Sequence, residues 1–387
     1  MTPAARVAAA IEILDMIGDG LPAEQVLTRW GRGNRFAGSK DRAAIRDYVF
    51  DVLRVRRSAA WLGNAATGRG LMIGLLRLKG VEPATLFTGE GHAPAPLMEH
   101  EIPVPEGEMP AADAWNLPDW LTERFAEGLG EKAAGTATML QGRAPVTLRV
   151  NTAKTNVSDA ILMLKEAGVE VERNPLAPTA LTVVEGSRRI RNASAYMDGF
   201  VELQDASSQA VVDALPKAAR VLDYCAGGGG KALAIAARGA EAVFAHDIDV
   251  ARMRDLPLRA ARAEAEITQL EGSDLAQFGP YDLVLVDAPC SGSGSWRRAP
   301  EAKWLLTPEQ LTQTMALQDS ILDAAAGHVA NGGTLVYATC SILPDENQQR
   351  VAAFLERHSD WHCTWDKTID VSDLGDGFYS ANLTQSK

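Results

Sequence analysis

Four apolar runs in the second half of the chain leave it few folds to choose from. They are RVLDYC (220–225), EAVFAH (241–246), YDLVLVD (281–287) and GTLVYAT (333–339), and each stops at or just before a glycine turn, a carboxylate or a thiol. Helix-length segments separate them. Runs that are apolar throughout, rather than alternating, are the strands of a parallel sheet covered by helices on both faces. The expected fold class is therefore α/β, with a doubly wound, Rossmann-like sheet. Ligands of such sheets sit beyond the carboxyl ends of the strands, so the candidate functional residues are sought there.

The chain has 387 residues, long enough for several cores. Over 1–82 apolar residues recur at helical spacing, as at Val7, Ile11, Leu14 and Ile17 and again at Ile45, Val49 and Val52. This predicts an all-helical bundle, with Gly18 and Gly20 ending the first helix and Ser39 capping a helix that runs from Arg42 to Arg57. Seven prolines in 83–118, Pro105 among them, exclude a continuous helix and predict a linker. Residues 119–205, with VTLRVNT, SDAILMLKEAG, VEVER and TALTVVEG, read as a small α+β domain with a helical start and RRM-like strands. The domain that carries the parallel sheet, and with it the expected functional site, is then 206–387, where Thr307, Pro308 and Gln310 form a capping box ahead of another helix.

Composition excludes several classes. No stretch approaches the roughly 18 apolar residues that span a bilayer, and Arg6, Glu12, Asp15 and Asp19 interrupt the N-terminus, so neither a membrane protein nor a secretory leader is expected. A cytoplasmic monomer is the expectation. The four cysteines, Cys225, Cys290, Cys340 and Cys363, show no CxxC pair and no zinc spacing, which predicts reduced thiols and no metal. A net charge of −12 argues against indiscriminate nucleic-acid binding, yet residues 1–80 hold 13 Lys and Arg against 7 Asp and Glu. A basic front on an acidic body suits a site-specific RNA binder.

The turn after the first run holds four glycines, Gly227 to Gly230, before Lys231 opens a helix, and Asp247 follows at the end of the second run. Gly227, Gly229 and Ala232 satisfy a dinucleotide-type GxGxxA pattern, while a Walker loop is excluded by Cys225 and Ala232. S-adenosylmethionine, with a ribose diol, an amine and a sulfonium but no phosphate, suits carboxylate acceptors, and Asp247, Asp274 and Asp287 supply three. Each alone reads equally as a helix or turn cap. Cys290 in DAPCSG and Cys340 in ATCS stand at strand ends and should face one pocket. Two thiols beside a methyl donor fit methylation of cytosine carbon 5, because a thiolate adding to carbon 6 activates an otherwise poor nucleophile. Asp287 is a candidate to stabilise charge at ring nitrogen 3, and either Lys231 or the sulfonium itself supplies the positive field that lowers a thiol pKa.

Several stretches resemble the Sun (Fmu), or RsmB-like, family of RNA cytosine-C5 methyltransferases with an N-terminal NusB-like domain. They are GSKDRAAIRDYVFDVLR, LRVNT, VELQDASSQ, DYCAGGGGK, DIDVAR, FGPYDLVLVDAPCSGSGSWRRAPEAKW, GGTLVYATCSILPDEN and DGFYSANL. The resemblance implies a class I methyltransferase sheet and S-adenosylmethionine as cofactor, held by Cys225, Ala226, Gly227, Gly228, Gly229, Gly230, Lys231, Asp247, Asp274 and Asp287. It implies that Cys340 forms the covalent adduct, that Cys290 assists its breakdown, and that ribosomal RNA is the partner. One departure stands out: this chain has Gly228 where such proteins usually carry proline, so the turn loses the rigidity that proline gives. Arg188, Arg189, Arg191, Arg297 and Arg298 are candidate phosphate contacts. The rival readings are a tRNA cytosine-C5 methyltransferase, a DNA enzyme attacking through Cys290, an NAD oxidoreductase and a non-catalytic RNA-binding assembly factor.

Overall fold

The computed structural model describes residues 1–104 and 106–386; Pro105 and Lys387 lie outside the described residues. The chain divides into two compact units, 1–142 with 296–305, and 143–295 with 306–387.

The first unit is helical. Its helices are α1 (Pro3–Gly18), α2 (Ala23–Gly33), α3 (Ser39–Arg54), α4 (Arg56–Leu62), α5 (Gly68–Leu78), α6 (Ala111–Trp115), α7 (Asp119–Leu129) and α8 (Ala133–Gln141). The apolar positions that repeat in the sequence, including Val7, Ile13, Ile45, Val49, Val52, Met72 and Ile73, close into one core. Thr2 caps α1 by accepting from the Ala5 amide at 3.1 Å, and Gly20 leaves the helix at φ +94°. Ser39 is not the cap of α3. It is the first helical residue, and the Asp41 carboxylate reaches back to the Gly38 amide at 3.2 Å. The predicted helix to Arg57 also breaks at Val55 and restarts as α4, turning Arg57 toward Asp113 and Asp119. Within the proline-rich stretch the carbonyls of Ala95, Pro96, Glu101 and Ile102 accept from Arg69 and Arg77, which fastens it to α5.

The second unit contains two sheets. A four-stranded antiparallel sheet of order β2-β3-β1-β4 is built from β1 (Thr147–Val150), β2 (Glu170–Arg173), β3 (Ala180–Glu185) and β4 (Val201–Leu203), with α9 (Val157–Glu166) between β1 and β2. The larger sheet comprises β5 (Arg220–Asp223), β6 (Ala242–His246), β7 (Ile267–Leu270), β8 (Tyr281–Asp287), β9 (Val329–Thr339), β10 (Trp361–Ile369) and β11 (Phe378–Gln385). Its order is β10-β11-β9-β8-β5-β6-β7; β5 to β9 run parallel, and β11 lies antiparallel between β9 and β10. The four apolar runs are β5, β6, β8 and β9, and Val284, Leu285, Val286, Leu335, Val336 and Tyr337 are fully buried. Strand order reverses between β5 and β8, and that switch point sets the carboxyl ends of both strands around one crevice.

Candidate active site

The glycine turn leaves β5 and enters the helix Gly230–Ala237. Gly227 and Gly229 have φ of +51° and +77°, a region that side chains disfavour, and a Cβ on Gly229 would lie 2.3 Å from Leu256. The turn is fixed by side chains from elsewhere. Asp247, buried at the end of β6, accepts from the Gly227 amide at 2.9 Å and the Asp249 amide at 3.0 Å, and it pairs with Arg252 at 3.1 Å. Arg259 donates to the carbonyl of Gly228, and Arg149, from β1, donates to that of Gly230 at 2.8 Å. The chain thus restrains its four-glycine turn through guanidinium contacts where proline would have restrained it covalently.

Ala226 is anchored by its amide on the carbonyl of His246 at 2.8 Å. Cys225 is a half-buried thiol pushed up by burial and by the neighbouring carboxylates, so it stays protonated. Asp274 accepts from the Glu271 amide at 3.1 Å at the start of the short helix Leu275–Phe278, the turn-cap geometry that a lone carboxylate would adopt. Lys231 is buried, and its ammonium lies 2.6 Å from Asp287 at the end of β8. Burial pushes the nearby Asp223 carboxyl up to about 7, the charge of Asp287 adding to this and that of Lys231 opposing it. A phosphate ligand would meet this cluster of carboxylates unfavourably. The donor set, open backbone and a row of carboxylates, fits S-adenosylmethionine.

The sulfurs of Cys290 and Cys340 stand 3.4 Å apart. Cys340 is lowered below the ordinary thiol range, first because Cys290 donates a hydrogen bond to it, with Lys231 and Ser295 adding to the effect against burial. Cys290 is raised well above that range by the same hydrogen bond, by burial and by the negative charges of Cys340 and Glu346. The pair is therefore polarised in one sense: Cys340 is the thiol that ionises first, and Cys290 the one that keeps its proton longer.

A buried carboxylate that sequence reasoning missed ties the two cysteine loops together. Glu346 is fully buried and accepts from the Ser291 amide at 2.7 Å, the Ser291 hydroxyl, the Ser341 hydroxyl at 2.5 Å and the Gln318 amide at 3.2 Å. Ser291 follows Cys290 and Ser341 follows Cys340, so one carboxylate holds the residue after each thiol. Ser293 and Ser341 join the loops a second time at 2.8 Å, and the Gly294 amide donates to the Cys340 carbonyl at 2.9 Å. The sequence signal was an ionisable residue six positions after Cys340 in ILPDEN, too close to the strand end to be free surface.

The arginines proposed for RNA divide by burial. Arg188, Arg189 and Arg191 are exposed on the turn Ser187–Asn192, and Arg298 is exposed as well. Arg297 must be corrected: it is 1% exposed, with its carbonyl accepting from Arg54 at 2.9 Å, so its guanidinium is not presented to a phosphate. Trp296 is likewise core, and the Trp304 indole donates to the Leu53 carbonyl at 2.7 Å. Among the described residues no His, Cys, Asp and Glu cluster could hold a metal ion, and no helix is long and apolar enough to cross a membrane.

Known proteins resemble this chain along almost its whole length. The chain is 30% identical to ribosomal RNA small subunit methyltransferase B of Serratia proteamaculans over 98% of both chains. It belongs to the RsmB/F methyltransferase family. A 16S rRNA methyltransferase RsmB/F model matches residues 211–384, and the ferredoxin-like domain model of the same proteins matches 117–188. The methyltransferase B of Photorhabdus laumondii is 34% identical over 69% of this chain and 66% of its own length, so that alignment spans just under two thirds of the relative. A methyltransferase homologue from Pyrococcus horikoshii shares the fold, with a TM-score of 0.62, 24% identity and coverage of 72% of this chain and 98% of the other. Both thiol loops and the glycine turn lie inside the RsmB/F match.

Proposed function

We propose that this methyltransferase transfers a methyl group from S-adenosylmethionine to carbon 5 of a cytosine in ribosomal RNA, through a covalent adduct on Cys340. The observation that carries the reading is the polarised thiol pair, 3.4 Å apart at the ends of β8 and β9 and next to the Lys231–Asp287 pair. When bound, the cofactor supplies an electrophilic methyl; Asp247, Asp274 and the backbone of 225–230 would hold it.

The chain's own residues supply the rest. The Cys340 thiolate adds to carbon 6 of the pyrimidine, breaking the 5,6 double bond and moving electron density toward carbon 5 and ring nitrogen 3. The Lys231–Asp287 pair would stabilise charge developing at nitrogen 3, the lysine cation offsetting it and the Asp287 carboxyl bonding to the nitrogen once a proton lies between them. Once carbon 5 carries the methyl, loss of its proton re-forms the double bond and expels the Cys340 sulfur. Cys290, which holds its proton beside that sulfur, assists this breakdown by protonating the leaving thiolate. The target base must be unpaired or extruded to meet a part-buried sulfur. Curated relatives named for ribosomal RNA favour that substrate over transfer RNA.

The test is adduct trapping on RNA that carries 5-fluorocytosine. Wild type forms a denaturation-resistant complex, Cys290→Ala accumulates adduct with natural RNA, and Cys340→Ala forms none. An adduct that survives Cys340→Ala but is lost in Cys290→Ala reverses the roles and defeats the mechanism.

A further inference from the structure

The whole chain is acidic, at −12, yet residues 23–46 hold six basic side chains against two carboxylates. Both carboxylates are already engaged. Glu24 pairs with Arg46, and Asp41 turns inward to Arg6 at 2.8 Å and the N-terminal amine at 3.3 Å. Arg29, Arg32, Arg35, Lys40 and Arg42 are exposed and make no ion pair among the described residues. An acidic protein that leaves five cations uncompensated on one helix pair has concentrated its attraction for polyanions there.

Four of these cations line a groove. Between α2 and α3 lies a depression of about 510 Å³ lined by Leu27, Thr28, Gly31, Arg32, Arg35 and Arg42. A neighbouring one of about 530 Å³ continues along α2 past Arg29 and Glu24. Arg42, which lines the groove, is held in place by donation from Nε to the Ala37 carbonyl at 2.9 Å. A positioned guanidinium with free N–H groups matches two phosphate oxygens. Beside Arg35 the ring of Phe36 is 72% exposed, the most exposed aromatic side chain of the unit's large apolar residues. A bare ring flanked by arginines suits stacking of an unpaired base, a contact that an acidic peptide does not require.

We infer that the α2–α3 groove binds an RNA strand, with phosphates on Arg32, Arg35 and Arg42 and an unpaired base on Phe36. This deepens the RNA reading of the proposed function and rests on it for the class of polyanion.

The test uses the full chain and fluorescein-labelled RNA of about 20 nucleotides, one a hairpin with an unpaired loop and one a perfect duplex, with affinity followed across about 50 to 300 mM KCl. Arg32→Gln, Arg35→Gln and Arg42→Gln should each reduce the slope of log K against log salt by about one, and Lys at the same positions should restore it. Phe36→Ala should weaken hairpin binding roughly 5- to 100-fold, leave the duplex nearly unchanged and keep the salt slope. Melting curves verify that the variants fold, and the Lys variants supply the readout if a Gln variant does not. Unchanged slopes and affinities overturn the inference. So does a result in which the arginine variants release a labelled polyglutamate but not RNA, since that identifies an acidic protein as the occupant. If the slopes fall as expected while wild type forms no 5-fluorocytosine adduct, the groove stands and the catalytic reading fails. An adduct with unchanged slopes fails the groove alone.

Discussion

Replacing Glu346 with Gln keeps the shape of the side chain and removes its charge, which makes it the most discriminating perturbation of the thiol pair. Four donors converge on this carboxylate: the Ser291 amide and hydroxyl, the Ser341 hydroxyl and the Gln318 amide. Hydrogen bonds to a charged acceptor are worth about 1.5 to 3 kcal/mol and those to a neutral one about 0.5 to 1.5, so each surviving bond weakens by about 1 kcal/mol. A glutamine has one acceptor oxygen and two donor hydrogens. The serine hydroxyls can rotate to accept from it, whereas the Ser291 amide cannot. The net loss of stability, offset by no longer burying a charge, should be about 1 to 3 kcal/mol. Glu346→Ala, which leaves all the donors unsatisfied, should cost about 3 to 5 kcal/mol.

The functional consequence follows from the sense of the polarisation. The Glu346 charge is one of the causes that hold the Cys290 thiol up, so its removal lowers Cys290 toward Cys340 and weakens the division of roles between them. Loosened loops also displace both sulfurs, and a displacement of about 1 Å is enough to cost roughly 100-fold in rate. Turnover of Glu346→Gln should therefore fall about 10- to 100-fold, with cofactor affinity within about twofold of wild type. The assay is iodoacetamide labelling of each cysteine across a pH range, resolved by peptide mass spectrometry. In wild type Cys340 labels at lower pH than Cys290; in the variant the Cys290 curve moves down to meet it. Ser291→Ala with Ser341→Ala loosens the loops with the charge still in place, so it should lower turnover with a smaller movement of the Cys290 curve. Unchanged labelling curves together with turnover within twofold of wild type would refute the clamp.

Two further outcomes are expected. Arg259→Ala should weaken cofactor binding in calorimetry about tenfold by releasing the Gly228 carbonyl, and Gly228→Pro should recover much of this only in the Arg259→Ala background, because a Cβ at 228 would stand 3.1 Å from the Arg259 guanidinium; equal effects of Gly228→Pro in both backgrounds would contradict the guanidinium account of the turn. Asp223 titrates near 7 in the fold against 3.8 ordinarily, so the folded state holds its proton longer: stability is full below about pH 3.8, is lost as pH rises through about 7 and is level above, by up to roughly 4 kcal/mol. Urea denaturation of Asp223→Asn should accordingly show no gain over wild type at low pH and a gain of a few kcal/mol above pH 7, and parallel pH profiles would dismiss the assignment.

What could be read from the sequence was decided by the range over which each signal acts. β5, β6, β8 and β9 announce themselves because a buried parallel strand must be apolar on both faces, and their ends place Asp247, Asp287, Cys290 and Cys340 without further information. β7 and β10 are edge strands with several exposed polar residues, so ITQL and WHCTWDKTI carry no such signature. The Ser39 cap failed for a local reason: the helix starts one residue earlier, with Ser39 already inside it, and the charged Asp41 carboxylate reaches back to the Gly38 amide. The residues missed entirely act across the chain. Glu346 meets Ser291 at a separation of 55 residues, and Arg149 reaches the Gly230 carbonyl across 81. Periodicity and motif spacing register what a residue does to its neighbours in sequence, whereas Arg149 acts across the chain and Glu346, beyond its contact with Ser341, holds a loop 55 residues away. Each restrains a loop whose own sequence, CSGSG or GGGG, is too flexible to hold a shape alone. A glycine-rich stretch at a strand end is therefore itself a signal. It states that restraint must come from elsewhere, and in this chain the search for it leads to buried charged side chains that bond to distant loops, the class that contains both Arg149 and Glu346.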